Sequence, residues 1–325
     1  MRTTEFEDFL REGRNATESE INASVAAVQA FAADVSARGR TLAMATPADV
    51  RHHLDRLIEA GDNTWPRLVA LARYAYFADL TEPYVYLAGV MAGREVIPSM
   101  ADRAAAVAGP AVREAVFDNL DLPPLGAPTS ELPAVAHQIV AGLTEATSLE
   151  VRRRILAGNH HGMPAEPFTK LRKIYEAEGI DAALAYRHEN LVSTLAKHAE
   201  SGKPWYEQVI TPEVVDYVRA DREISAGVRR GDSIYVTKIA YAPVQFLAAE
   251  DPTEKRYHLC HCPWARESII ADGPTVPAEF CYCSAGYAKW PFEVVFGQEL
   301  EVELLESALG GDPRCRFAIK LPASQ

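Results

Sequence analysis

The spacing of apolar residues changes near residue 230, and this change limits the possible folds more than any other feature of the chain. Before that point apolar residues recur every three or four positions, as in residues 21–35 and 50–58, which is typical of helices. From Ser233 a β-branched run alternates along the chain, which indicates strands. We therefore predict an α+β protein: an N-terminal all-helical region followed by a C-terminal α/β domain with a mostly antiparallel sheet.

Local signals place the element boundaries. Thr46 before Pro47, and Ser99, are typical helix starts, and the breaker-rich residues 122–128 are the clearest linker. In the last hundred residues we predict strands at residues 233–239, 256–262, 279–284, 299–306 and 315–321, and a helix at residues 286–296 that ends at Gly297.

Three domains follow from these boundaries: a helical domain at residues 1–120, a second helical region at 121–230, and an α/β domain at 231–325. The rhythm of short helices from Phe6 to Glu95 resembles the SAM-like core-binding domain of phage-type tyrosine recombinases. The catalytic Arg, His and Tyr constellation of that family is not recognisable downstream. We therefore interpret the first domain as a reused helical fold or a lid.

Charge and hydropathy exclude several classes of function. The 325 residues carry a net charge of −12, which argues against a nucleic-acid-binding protein, because binding to a phosphate backbone needs clustered Lys and Arg. No stretch approaches 18 uninterrupted apolar residues, and the polar N-terminus has no secretory signal. We expect a cytoplasmic protein that binds a small molecule but neither nucleic acid nor a membrane, with a homodimer left open.

All five cysteines lie in the last fifth of the chain. Four form two Cys-x-Cys pairs, Cys260 with Cys262 and Cys281 with Cys283, and Cys315 follows. In a reducing compartment such clustering favours metal or redox chemistry over structural disulfides. Four thiolates suit a tetrahedral Zn²⁺, which we predict as the cofactor. An iron–sulfur cluster or Cu(I) is also compatible with soft sulfur ligands.

The predicted strands give this cluster a geometry. Strand alternation places His258, Cys260 and Cys262 on one face of the first strand, and both cysteines of the second pair on one face of theirs. Glu306 continues the apolar face of its strand, where an isolated carboxylate is costly unless it is paired, protonated or metal-bound. The turn after it can bring Cys315 close to it.

The order Cys283, Gly286, Tyr287, Glu306 and Cys315 resembles the four-vinyl-reductase-type domain, over about the last 90 residues. That family implies an α/β fold and, in its aromatic-sensing members, a zinc site. Cys283, Glu306 and Cys315 match three of its ligands. The chain departs at Leu309, where the family has a cysteine, so Cys260, Cys262 or Cys281 would have to substitute. The region is also similar, less specifically, to aminothiazoline-carboxylate hydrolases.

Polar and aromatic residues flank the cysteines and form a predicted pocket for a small anionic or aromatic ligand. The candidate substrate-binding residues are Trp264, Arg266, Tyr282, Tyr287 and Lys289. As catalytic residues we name Glu306, as an exchangeable ligand or base, and His258, as a base for Cys281 or Cys283. The function predicted is that of a zinc-binding protein with a small-molecule pocket, acting as a hydrolase or lyase. A ligand-binding or redox-sensing regulator with structural zinc is the alternative.

Simpler interpretations stay open for each motif. The cysteines are then buried core residues, and Glu306 forms an ion pair with Arg314 or Arg316. His261 faces away from the sulfurs, and Trp205 with Tyr206 is interface packing. Asn159 to Gly162 caps a helix, although its double histidine is also able to reach the site from the helical region.

Overall fold

A computed structural model describes residues 2–271 and 275–322 and divides the chain into two compact units. Unit 1 comprises Met1–Ala92 and Leu122–Glu131, and unit 2 comprises Gly93–Asp121 and Leu132–Gln325. The segment predicted as a linker therefore belongs to unit 1. The three-domain division stays a prediction, because compact units need not fold independently.

Unit 1 is entirely helical in its described residues and has its own apolar core, which includes Phe6, Leu54 and Leu87. Thr46 begins a helix as predicted: its hydroxyl accepts a hydrogen bond from the backbone of Asp49, whose carboxylate accepts one from Thr46 in return. The helices are α1 (Thr3–Arg14), α2 (Glu18–Ala37), α3 (Pro47–Glu59), α4 (Trp65–Phe77) and α5 (Thr81–Met91).

Unit 2 combines helices with a small sheet. Its helices are α6 (Val96–Ala108), α7 (Pro110–Val116), α8 (Pro133–Ala146), α9 (Leu149–Leu156), α10 (Thr169–Glu178), α11 (Ile180–Ser201), α12 (Pro212–Ala220), α13 (Pro243–Ala248), α14 (Pro252–Leu259) and α15 (Tyr282–Phe296). Its strands are β1 (Val228–Arg230), β2 (Ser233–Thr237), β3 (Val302–Glu306) and β4 (Arg316–Lys320). All neighbouring strands are antiparallel, in the order β1-β2-β4-β3. The α+β class is therefore confirmed.

Two predicted strands are wrong, and both carry cysteines. Residues 256–259 belong to α14, and residues 260–262 follow it without regular structure. The helix begins at Pro252 because the Asp251 carboxylate accepts hydrogen bonds from the backbone amides of Thr253 and Glu254. Residues 279–284 form the end of a short 3₁₀ helix, Ala278–Cys281, and the start of α15. Neither segment contains a β-branched residue, so neither has a strong intrinsic preference for a strand. Contacts with the rest of unit 2 therefore determine that both segments are largely helical.

Other boundaries follow their local chemistry. Ser99 lies inside α6 and is not a helix start, because the helix already begins at Val96. The end of α15 at Gly297 is confirmed: this glycine adopts the left-handed conformation, with φ of 70°, that favours glycine at helix ends. Within the described residues no helix has the length and apolar character needed to cross a membrane.

Candidate functional site

The five cysteines occupy helix ends and one strand start in unit 2. Cys260 ends α14, Cys281 and Cys283 flank the start of α15, and Cys315 precedes β4. All five are free thiols, and all except the partly exposed Cys262 are buried. Because these segments are not strands, the alternation that placed the sulfurs on shared faces does not apply, and that argument is wrong.

The thiols lie close enough together to influence one another. Burial, together with the neighbouring Cys315, raises the pKa of Cys260 to about 12. Burial also raises the pKa of Cys281 well above its usual value, and both of those cysteines add to the shift. The Cys281 sulfur accepts a hydrogen bond of 3.1 Å from the Ser307 hydroxyl. The cluster is therefore a group of protonated thiols at neutral pH.

Zinc requires several donors around one point. Among residues 2–271 and 275–322, no group of three or more His, Cys, Asp or Glu side chains is placed to hold a metal ion. The soft donors suit Zn²⁺ chemically, but their arrangement does not form a site as it stands. Zinc therefore stays a prediction.

The two predicted catalytic residues have ordinary partners. Glu306 forms two hydrogen bonds with Arg314, of 2.7 and 3.0 Å, and lies 3.7 Å from Arg316. A bulge between Leu304 and Glu306 interrupts the strand alternation that was expected to bury its carboxylate. His258 lies 3.5 Å from Glu254 on α14, beside a surface cavity of about 470 Å³.

Three of the predicted substrate-binding residues have structural partners. Trp264 is 2% exposed and donates its indole N–H to the Gly93 carbonyl at 2.8 Å. The ring of Tyr282 lies under the Arg153 guanidinium. Lys289 is buried in an ion pair with Glu293 and donates to the Leu300 carbonyl, beside a cavity of about 400 Å³ that Trp290 also lines.

Tyr287 is the exception, since charged and titratable groups gather around it. The Lys238 ammonium lies 5.3 Å from the centre of its ring and 3.5 Å from the Ser284 hydroxyl. The His161 ring stands edge-on to Tyr287 at 5.3 Å and its Nδ1 lies 3.0 Å from the Glu95 carboxylate. His161, the second residue of the double histidine, thus contacts the helix that carries Cys283. We call the group His161, Arg187, Glu207, Lys238 and Tyr287 the Tyr287 cluster.

Arg187, on α11, is the least compensated cation of the cluster. Burial lowers its pKa to about 10, and the nearby Tyr287 opposes this only in part. Its guanidinium donates to the Ala226 carbonyl at 3.3 Å and lies 5.0 Å over the Phe292 ring. Within the described ranges, no carboxylate lies within 4.0 Å of Arg187 or of Lys238.

Glu207 supplies the acidic member of the cluster. Burial raises the pKa of its carboxyl, while Lys238, Arg266 and His161 oppose that rise. Arg266 stacks on Tyr241 at 4.4 Å and on Tyr257 at 5.0 Å, on the side of the cluster nearest Glu207. A carboxyl with a raised pKa among cations is a feature of functional sites.

The cluster is open to solvent and still surrounded by protein. Tyr287 is 42% exposed and Tyr206 is 69% exposed, yet burial raises the pKa of both phenols. Side chains that are accessible and also partly desolvated are able to meet a ligand at the protein surface. A small molecule is therefore able to reach these charges.

A close helix contact fixes one wall of this surface. Gly286 on α15 packs directly on the backbone at the end of α9, where a Cβ atom would collide with the carbonyl oxygen of Gly158. His161 follows that backbone, and Tyr287 follows Gly286. Glycine is required here because only it allows two backbones to approach so closely.

Sequence reasoning missed three members of the cluster: Arg187, Glu207 and Lys238. Arg187 lies in the middle of a helix among other charged residues, so nothing in the sequence distinguishes it as a binding residue. Lys238 follows a strand whose alternation was recognised, but its position opposite α15 depends on tertiary packing. Glu207 follows Trp205 and Tyr206, which were interpreted as packing. The orientation of Glu207 depends on the positive φ of the preceding residue, Tyr206. Because a tyrosine rarely adopts a positive φ, the sequence does not predict this conformation.

Comparison with known proteins adds one match. A model of a family of unknown function (DUF6144) matches residues 214–324, about one third of the chain. The matched segment contains all five cysteines, Lys238 and Tyr287, but not His161, Arg187 or Glu207. No curated protein and no solved structure matches the chain.

Proposed function

We propose that unit 2 binds a small organic anion with an aromatic part at the Tyr287 cluster. The observation that carries this proposal is Arg187, whose guanidinium is desolvated and has no carboxylate partner among the described residues. The Lys238 ammonium, 5.3 Å from the centre of the Tyr287 ring, likewise has no carboxylate within 4.0 Å among the described residues. A bound carboxylate would supply the missing negative charge.

Energetics make such cations unusual. A buried charge without a partner costs several kcal/mol, so folded proteins normally pair it. This chain has 45 Asp and Glu residues against 33 Lys and Arg, so carboxylates are plentiful. Two neighbouring cations without one are therefore better explained by a ligand than by the needs of the fold.

Aromatic surroundings narrow the ligand class. The rings of Tyr287 and Tyr206 border the charged groups and remain partly accessible. Rings of this kind stack on planar ligands, while an arginine binds a carboxylate through two parallel hydrogen bonds. We therefore choose a carboxylate attached to a planar ring, for which benzoate is the simplest probe.

Calorimetric titration with benzoate tests the proposal. We expect saturable binding to the wild type, and at least a tenfold loss of affinity, about 1.4 kcal/mol, in Arg187→Gln. Arg172→Gln is the matched control, because that arginine is half exposed and paired with Glu176. Inorganic phosphate binding more tightly than benzoate, or equal binding by both variants, would contradict the proposed ligand class.

Zinc binding by the neighbouring thiols is a second proposed activity. It is supported by the placement of five free thiols within electrostatic reach of one another, with Lys238 favouring thiolate at four of them. A metal would have to draw the sulfurs into a new arrangement, and its role in a hydrolase or lyase reaction depends on that. Free thiols also agree with the proposed cytosolic location.

Elemental analysis of protein purified under reducing conditions tests the zinc proposal. We expect about one zinc ion per chain, lost in the double variant Cys260→Ser with Cys283→Ser. Ser284→Ala, a neighbouring substitution without sulfur, should keep the metal. Protein that contains no metal would overturn the zinc proposal and leave the proposal for anion binding intact.

A further inference from the structure

Glu207 is held by a tight turn rather than by a helix or strand. Trp205 and Gln208 exchange two backbone hydrogen bonds of 2.9 Å, and the Gln208 side chain donates to the Ala240 carbonyl at 2.5 Å. Ala240 lies two residues after Lys238, so the turn is tied to the segment that carries the lysine. The position of Glu207 beside the cluster is thus fixed from both sides.

Tyr206, at the tip of this turn, has a conformation that tyrosine rarely adopts. Its φ is 52°, in the left-handed region, although its side chain is mostly exposed. Such a conformation is strained and persists where the surroundings impose it, often at ligand sites. Because the exposed ring of Tyr206 gains little from burial, the turn is better explained by what it presents, which is Glu207.

The carboxylate of Glu207 is left without a strong partner. Its only hydrogen bond in the described residues is to its own backbone amide, and Lys238, Arg266 and His161 act on it without forming an ion pair. The phenols of Tyr206, Tyr241 and Tyr287 complete its surroundings, because the charge of Glu207 raises the pKa of each. Burial, together with Lys238, Arg266 and His161, lowers the pKa of His261, and its Nε2–H donates to the Ile239 carbonyl at 2.7 Å.

We propose that Glu207 meets the bound anion as a carboxylic acid: on binding it takes up one proton from solvent and donates a hydrogen bond to the ligand. This inference rests on the proposed anion site. Two negative charges within this cluster repel each other, and a proton on one of them converts the repulsion into a hydrogen bond.

The burial of the Glu207 carboxyl favours its protonated form over its ionised form. The carboxyl already holds its proton to a higher pH than usual, and a second negative charge nearby extends that range. The proton comes from solvent, so the ligand keeps its charge for Lys238 and Arg187. The site then selects anions that accept a hydrogen bond and disfavours zwitterions, whose ammonium group needs an ionised Glu207.

Proton-linked calorimetry tests the inference. Benzoate is titrated at several values between about pH 5 and pH 8 in two buffers with different ionisation heats, so that the difference reports protons taken up. For the wild type we expect uptake that approaches one proton per benzoate. Glu207→Gln should bind benzoate without uptake, because an amide donates the hydrogen bond but does not titrate.

Controls separate this inference from the site itself. Glu213→Gln, an exposed glutamate at the start of α12, should behave as the wild type. Uptake that persists in Glu207→Gln, or tighter binding of the zwitterion 4-(aminomethyl)benzoate than of benzoate, would overturn the role of Glu207 alone. Absence of benzoate binding at every pH would overturn the anion site and, with it, this inference.

Discussion

Two sites, one in each unit, treat buried charge in opposite ways. In unit 1 the fully buried carboxylate of Asp49 is met by Arg38, by Arg40 and by both donors of Thr46. In unit 2 the desolvated Arg187 and Glu207 and the partly buried Lys238 lie near one another without an ion pair in the described residues. The first arrangement serves folding. The second leaves charged side chains without ion-pair partners, and this difference indicates that a ligand binds there.

The largest effect is expected where charge is fully paired. Asp49→Ala leaves Arg38 and Arg40 without their carboxylate and removes a helix cap, so it should lower the free energy of unfolding by about 3 kcal/mol. Asp8→Ala, an exposed member of a surface pair, should change it by less than about 0.5 kcal/mol. Urea denaturation measures both, and equal losses would show that Asp49 is not a structural residue.

Removing the charge of Arg187 in unit 2 should change stability in the opposite direction. Arg187→Met removes a desolvated charge and keeps the contact with Phe292, so we expect stability to rise by about 1 kcal/mol while benzoate binding is lost. The comparison variant is Arg152→Met, which breaks a 2.7 Å pair with Glu279 and should cost about 2 kcal/mol. If Arg187→Met is as damaging as Arg152→Met, the charge of Arg187 serves the fold.

The pH dependence of stability should have opposite signs in the two units. Glu207 has a raised folded pKa, so it lowers stability as pH rises from the unfolded value of about 4.3 through the folded pKa. Asp49 has a lowered pKa, despite burial, because of Thr46 and Arg40. Its stabilisation is present above the unfolded value of about 3.9 and is lost as pH falls through the folded pKa.

Urea unfolding at a series of pH values measures these terms. As pH rises, the free energy of unfolding of Glu207→Gln should increase relative to that of the wild type. As pH falls, the free energy of unfolding of the wild type should decrease towards that of Asp49→Asn. We expect the Glu207 term to be smaller than the effects above, because its side chain keeps some contact with solvent. A pH-independent difference between Glu207→Gln and the wild type would remove the support that burial gives to the proton uptake.

The smallest expected effect concerns backbone strain. Tyr206→Gly should raise stability by about 0.5 kcal/mol, because glycine adopts the left-handed conformation without steric cost. Asn15 has nearly the same φ, 51°, at the end of α1 in unit 1, where asparagine tolerates it. Asn15→Gly should therefore change little. A loss of stability in Tyr206→Gly would mean that the tyrosine ring itself holds the turn.

Sequence patterns were sufficient for much of the fold but not for the site. The helical period of residues 21–35, the cap at Thr46 and the alternation of β2 are local signals, and each is found in the structure. Residues 256–262 and 279–284 were assigned to strands because short apolar runs do not distinguish strand from helix. The charged residues around Tyr287 come from segments that are far apart in the chain. No local sequence pattern predicts that these segments lie close together in the fold.

The contact between Gly286 and Gly158 has a practical meaning for work with fragments. The segment of residues 214–324 that matches the family model includes Gly286 but not the carbonyl against which it packs. Expressed by itself, that segment would keep every thiol and lose the surface against which α15 is seated, together with Arg187 and Glu207. Shortened versions of this protein that are meant to retain anion binding should therefore begin before α6, at Gly93.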